Sequence, residues 1–238
     1  MRATLGGLSC QVFAESEAGR PRGAVVLCHG FGAPGDDLVG LYGELVHMKP
    51  ELAKLRFIFP EAPLSLGPGS RAWWMIDMMS IQLMQQGDLN ALREFRKNEP
   101  EGMSKARAML RKLVDDVCAQ TKLPISKVVL GGFSQGAMLA TDVTLRLEEA
   151  PRALAILSGT LLMEDVWRQK AKARAGLRVL QSHGTEDPIL GFRSAEWLRD
   201  LLLEAGLKVD FLPFRGGHAI PLNVLEKLSA LLDDTSKG

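Results

Sequence analysis

The sequence predicts an α/β fold: a mainly parallel sheet with helices on both faces, in a single domain over residues 1–238. Three observations point to it. Short, unbroken apolar runs recur along the chain and read as strands buried on both faces, the pattern of parallel sheets. Longer stretches with a helical apolar period separate them. No repeat, low-complexity tract or Gly/Ser/Pro linker divides the chain. With 238 residues and 46% hydrophobic positions, it can bury a substantial core.

The elements follow in order. Between Met1 and Phe13, the residues Gly6, Gly7, Ser9 and Gln11 interrupt the apolar positions, so no continuous secretory-signal core is expected there. Residues 24–28 form the first compact strand, followed by the turn-rich His29-Gly30-Phe31-Gly32-Ala33-Pro34-Gly35. Asp36 or Asp37 is then placed to cap a helix carrying Leu38, Leu41, Leu45 and Val46. Residues 56–59 read as the next strand, stopped by Pro60. Residues 127–130 form a third strand, and 135–147 continue as a helix. Residues 153–157, 177–181 and 208–212 supply three more strands. A helix over about 194–204 separates the last two and stops at Gly206. Sites in such sheets lie at the carboxyl ends of strands.

Residues 73–102 break this rhythm. Six of the ten methionines lie between Met75 and Met109, and the segment turns polar from Gly87 to Pro100. One reading is a core-packing helix followed by a charged surface stretch. The other is a soft wall, or a lid, over an apolar ligand pocket, with Trp73, Trp74, Met75 and Met78 as its candidate lining.

Composition narrows the function. Lys and Arg total 29 against 28 Asp and Glu, a net charge of +1, so no excess of cations is available to neutralise nucleic acid. No apolar run approaches the ~18 residues of a transmembrane helix. Cys10, Cys28 and Cys118 are odd in number and include no C-x-x-C pair, which predicts a reducing, cytoplasmic compartment and neither disulfides nor zinc.

The chemistry concentrates in Val128-Val129-Leu130-Gly131-Gly132-Phe133-Ser134-Gln135-Gly136-Ala137, where Gly132, Ser134 and Gly136 spell G-x-S-x-G between a strand and a helix. A serine on so tight a turn needs small neighbours, and its hydroxyl projects at the sheet edge above a helix N-terminus. A nucleophilic serine also needs a base and an orienting acid. His47 sits in a helical stretch and reads as a surface residue, while His29 reads as shaping its loop. Ser134, Asp187 and His218 satisfy the order Ser…Asp…His, each just beyond a strand. His183 is the rival base and Glu186 the rival acid, although Pro188 restricts Asp187 to an extended conformation suited to a fixed carboxylate. Cys28 beside His29 could pass for a Cys–His pair, but adjacent strand residues face opposite ways, which favours a buried structural thiol.

His29-Gly30-Phe31-Gly32, Gly132-Phe133-Ser134-Gln135-Gly136, His183-Gly184-Thr185-Glu186-Asp187-Pro188 and Gly216-Gly217-His218 together resemble the phospholipase/carboxylesterase family, in order and over nearly the whole chain. The resemblance implies an α/β-hydrolase fold with Ser134 as nucleophile, His218 as base and Asp187 as orienter. It implies an oxyanion hole from the backbone N–H groups of Phe31 and Gln135, and a pocket-lining strand end at Ser158. The family's Trp-aromatic-Asp triplet is altered here to Trp73-Trp74-Met75-Ile76-Asp77, which displaces the carboxylate, and the segment to Pro100 is longer than in short members. The implied activity is hydrolysis of small or acylated esters or thioesters through an acyl-serine, without metal or cofactor. The alternatives are an acyl-protein thioesterase and a catalytically silent ligand receptor of the same fold. The expected partners include no nucleic acid, no integral membrane segment is expected, and the expected state is a monomer or a homodimer.

Overall fold

A computed structural model describes residues 1–14 and 20–237, with side chains through residue 234. Ten strands and eight α-helices are described: β1 (Arg2–Leu5), β2 (Leu8–Phe13), β3 (Ala24–Cys28), α1 (Gly40–Met48), β4 (Arg56–Pro60), β5 (Leu64–Gly67), β6 (Ser70–Ala72), α2 (Met78–Gln85), α3 (Leu89–Lys97), α4 (Met103–Thr121), β7 (Val128–Phe133), α5 (Gln135–Arg146), β8 (Ala153–Leu157), α6 (Glu164–Ala171), β9 (Arg178–Gly184), α7 (Phe192–Glu204), β10 (Lys208–Phe214) and α8 (Leu222–Lys237).

Eight strands make one sheet in the order β1-β2-β4-β3-β7-β8-β9-β10, while β5 and β6 form a separate hairpin. From β4 to β10 every pairing is parallel. The expected mainly parallel sheet covered on both faces is therefore present. Its central strands β3 and β8 are buried at every position, because helices cover both faces. One core lies under α4, α5, α6 and α7, anchored by Trp73, Trp74 and Trp167. The other lies under α1 and α8, around Phe57, Phe59 and Leu45.

After β3 the chain crosses to β4 on one side, then returns to place β7 on the other side of β3. Connections diverge at this switch point, which opens a crevice at the carboxyl ends of β3 and β7.

Two features depart from expectation. The first thirteen residues form an antiparallel hairpin with Gly6 and Gly7 at φ 59° and 79°. Leu8, Cys10 and Val12 point inward in strict alternation, as a half-buried strand requires. Neither Asp36 nor Asp37 caps α1. Tight turns occupy the stretch before it, with Asp37 N donating to Pro34 O and Val39 N to Asp36 O, so the helix begins at Gly40 behind Val39.

Candidate active site

Strand β7 ends at Phe133, and α5 begins at Gln135, so Ser134 alone makes the turn. It does so at φ 54° and ψ −119°, a conformation that non-glycine residues rarely adopt and that costs about 1–3 kcal/mol. Surrounding contacts hold it there. Ser134 N donates to Leu157 O at 2.8 Å, and its hydroxyl caps no amide of α5. The turn also presses against β3. A Cβ on Gly136 would lie 2.1 Å from Cys28 O, and one on Gly132 would lie 2.5 Å from the same atom. The small flanking residues of the motif are therefore required by backbone contact.

The turn after β9 presents Asp187, and the loop after β10 presents His218. His218 Nδ1 lies 2.6 Å from Asp187 Oδ2, with the carboxylate side chain fully buried. The two loops are laced together. Glu186 N donates to Gly216 O and Thr185 N to Phe214 O, and Gly184 approaches Gly217 too closely to admit a Cβ. The ring of Phe133 packs 4.7 Å from that of His218, and Ser158 Oγ donates to Ala219 O at 3.4 Å.

Asp187 is saturated with donors. Its Oδ1 accepts from the amides of Ile189 and Leu190, both at 2.9 Å. Its Oδ2 faces His218 Nδ1 and, at 3.3 Å, His183 Nε2. Burial alone would push this carboxyl up, but the bonds from His183, His218 and the Leu190 amide outweigh it and hold the group well below the usual carboxylate range.

The remaining histidines fall elsewhere. His183 is fully buried, with Nε2 2.7 Å from Leu190 O, and lies outside the cavity onto which Ser134 opens. His29 is also buried; its Nδ1 donates to Gly30 O and its Nε2 accepts from Ala62 N, which fixes a neutral ring, and burial lowers its pKa. His47 is exposed. Glu186 pairs with Arg215 at the surface, away from His218. Cys28 is fully buried, and burial together with the nearby Cys10 pushes its thiol pKa up.

The loop after β3 lies over Ser134, where a Cβ on Gly30 would stand 3.3 Å from the serine's own Cβ. This loop carries the Phe31 amide. The amide of Gln135 opens α5, so the helix leaves it without an intrahelical acceptor. The Gln135 side chain instead spans the segment opposite: Oε1 accepts from Trp73 N at 2.9 Å and Nε2 donates to Trp74 O at 2.8 Å. The indole of Trp73 in turn donates to His29 O, tying the same segment to the loop after β3.

Ser134 and His218 open onto one cavity of about 220 Å³, which Gly30, Phe31, Phe133 and Met138 also line. Ile76, Met78, Ile81 and Phe95 from residues 73–102 and Ile189 beside Asp187 complete its wall. Of the four pocket candidates in this segment, Met78 lines this cavity. Trp73 is sealed in the core, while Trp74 and Met75 border a neighbouring cavity. Ser158, fully buried at φ 52°, is not among the residues lining this cavity and instead donates to Ala219 O beside His218. Phe95 was hidden in a charged stretch, although Leu89, Leu92 and Phe95 repeat every three residues, a readable helical stripe.

A strained serine and an imidazole that a buried carboxylate orients line the same largely apolar cavity. This arrangement can perform acyl transfer. Comparison with known proteins agrees. The phospholipase/carboxylesterase model matches residues 10–236. Acyl-protein thioesterase 1 of Neurospora crassa is 26% identical over 223 residues, covering 90% of this chain and 87% of its own length. Its namesake from Eremothecium gossypii is 28% identical over 218 residues, covering 88% and 86%. The crystal structure of esterase PE8 is similar at a TM-score of 0.78 and 26% identity, over 96% of this chain and 99% of its own. A match running from the second strand to the last helix, on a sheet of the same architecture, makes the chain a member of the phospholipase/carboxylesterase family.

Proposed function

We propose that Ser134 is the nucleophile, His218 the general base and Asp187 the group that orients and stabilises the imidazolium. Family membership makes the chain a hydrolase of carboxylic esters or thioesters. In the reading advanced here, Ser134 Oγ attacks the acyl carbonyl as His218 Nε2 takes its proton. The Phe31 and Gln135 amides receive the developing oxyanion, and the leaving group departs with the proton that His218 returns. Water activated by His218 then releases the acid from acyl-Ser134.

The carrying observation is the 2.6 Å contact of His218 with Asp187, made on the wall of the same cavity that holds the strained Ser134. Replacing Ser134 with Ala should lower kcat by at least ~10³-fold and abolish labelling by a fluorophosphonate probe. A folded variant that keeps near wild-type activity on a p-nitrophenyl ester would refute the assignment. A silent ligand receptor would leave the wild-type serine unlabelled. The similarity to acyl-protein thioesterases favours a thioester arm in the same assay, with an acylated peptide beside matched oxyesters. Three free thiols fit a reducing, cytoplasmic setting. No helix among the described residues is long and apolar enough to cross a membrane. A monomer or homodimer remains the expected state, checked by light scattering.

A further inference from the structure

The cavity holding Ser134 is small, and it shares lining residues with two others. A second cavity of about 400 Å³ lies on the other side of Ile76, Ile81 and Phe95, with Trp74 and Met75 on its border. A third, of about 580 Å³, lies beyond Ile189 and Leu190 and carries polar groups such as Gln85, Arg193 and Ser194. Phe95 is the one described side chain that borders all three. It projects from α3, which is tied to two of the helices covering the sheet. Asp88 caps the helix through the amides of Asn90 and Ala91. Arg96 pairs with Glu164 on α6 and lies 4.1 Å over the ring of Trp197 on α7. The aromatic ring is thus held as a partition between the reaction cavity and unfilled space.

We propose that Phe95 is a specificity-determining residue that ends the acyl pocket, so that the chain prefers short acyl groups. The volume behind it becomes usable only when the ring is removed. Of the two volumes it closes off, the one beside Trp74 suits an acyl tail better: Asp77, Glu94 and Glu101 also line it, but its exposed lining is the more apolar, and Ile76 and Ile81 continue that lining across the shared wall. The volume beside Arg193 is more polar and offers a hydrocarbon less. This inference rests on Ser134 as the acylated group, since the cavity is an acyl pocket only in that case.

The test is a chain-length series of p-nitrophenyl esters, read as the ratio of kcat/KM for long over short acyl groups. Phe95→Ala should raise that ratio by about 10-fold or more, as pocket discrimination between chains differing by methylenes allows. Phe95→Trp should lower it. A ratio that stays at the wild-type value in a folded Phe95→Ala, with Ser134 still labelled by fluorophosphonate, overturns the partition and leaves the nucleophile intact. If Phe95→Ala fails to fold, Phe95→Trp decides, and an unmoved ratio there has the same force. A wild-type chain in which Ser134 takes no label overturns both readings together.

Discussion

Asp187 gathers four donors on two oxygens, and the distribution explains what the residue does. The two amides on Oδ1 fix the plane of the carboxylate, leaving Oδ2 to meet both imidazoles. In Asp187→Asn the amide nitrogen has to face one of these sets of donors, and either orientation sets donor against donor. Turnover should fall by about 10³-fold or more, since the base is then held in the wrong tautomer. The fold should lose about 1–3 kcal/mol from groups left unpaired. The pH dependence has a definite sign. Because the folded carboxyl titrates below its ordinary value of about 4, its contribution is complete above that value and drains away as pH falls beneath it. The stability gap between wild type and Asp187→Asn should therefore be flat near neutrality and close below pH ~4 in urea titrations. Across neutral pH the carboxylate stays ionised, so a loss of activity on mild acidification does not report Asp187. Ser134, Asp187 and His218 were legible as candidates because motif and chain order are local properties of sequence. Ser158 was expected to line the pocket, but it instead bonds Ala219, a neighbour far along the chain that only the tertiary fold brings near.

Among elements, the apolar strands of the parallel sheet were read within a few residues, because burial on both faces leaves an unbroken signature. The β1–β2 hairpin was missed for the converse reason. Its alternation of Leu8, Cys10 and Val12 with polar residues records one wet face, and a search for continuous apolar runs passes over it. Helix α4 likewise had no counterpart among the expected elements, although Ala106, Leu110, Leu113, Val114 and Val117 form a regular buried stripe. Residues 73–102 resolved into more order than expected. Trp73 and Trp74 are core residues in a bend after β6, and the polar stretch contains a second helix, α3, carrying Phe95 inward. Glycines illustrate how an element's surroundings decide its tolerance. Gly136→Ala would drive a methyl into backbone that cannot yield, so a loss of about 3 kcal/mol or more is expected. Gly43→Ala, in α1 with open space around it, should instead gain about 0.5–1 kcal/mol. Chemical denaturation of both variants checks the pair.

At the scale of the molecule, one sheet takes strands from Arg2 to Phe214, and each of its faces carries a core that draws on distant parts of the sequence. Such interleaving leaves no segment with a core of its own. Residues 1–238 should therefore melt in one cooperative transition, with calorimetric and van't Hoff enthalpies in agreement. A separable second step would show that residues 73–102 form an independent unit. The switch point between β3 and β7 accounts for where the chemistry sits, and that much follows from strand order alone.

Its assembly has a consequence for timing. The serine stands on β7, its carboxylate partner follows β9, and the base waits beyond β10, the outermost strand on that side of the sheet. Intermediates that have formed only the centre of the sheet hold the serine but lack everything that would make it reactive. Recovery of esterase turnover during refolding thus serves as a clock for the docking of the sheet's last edge, and it should lag the return of helical signal.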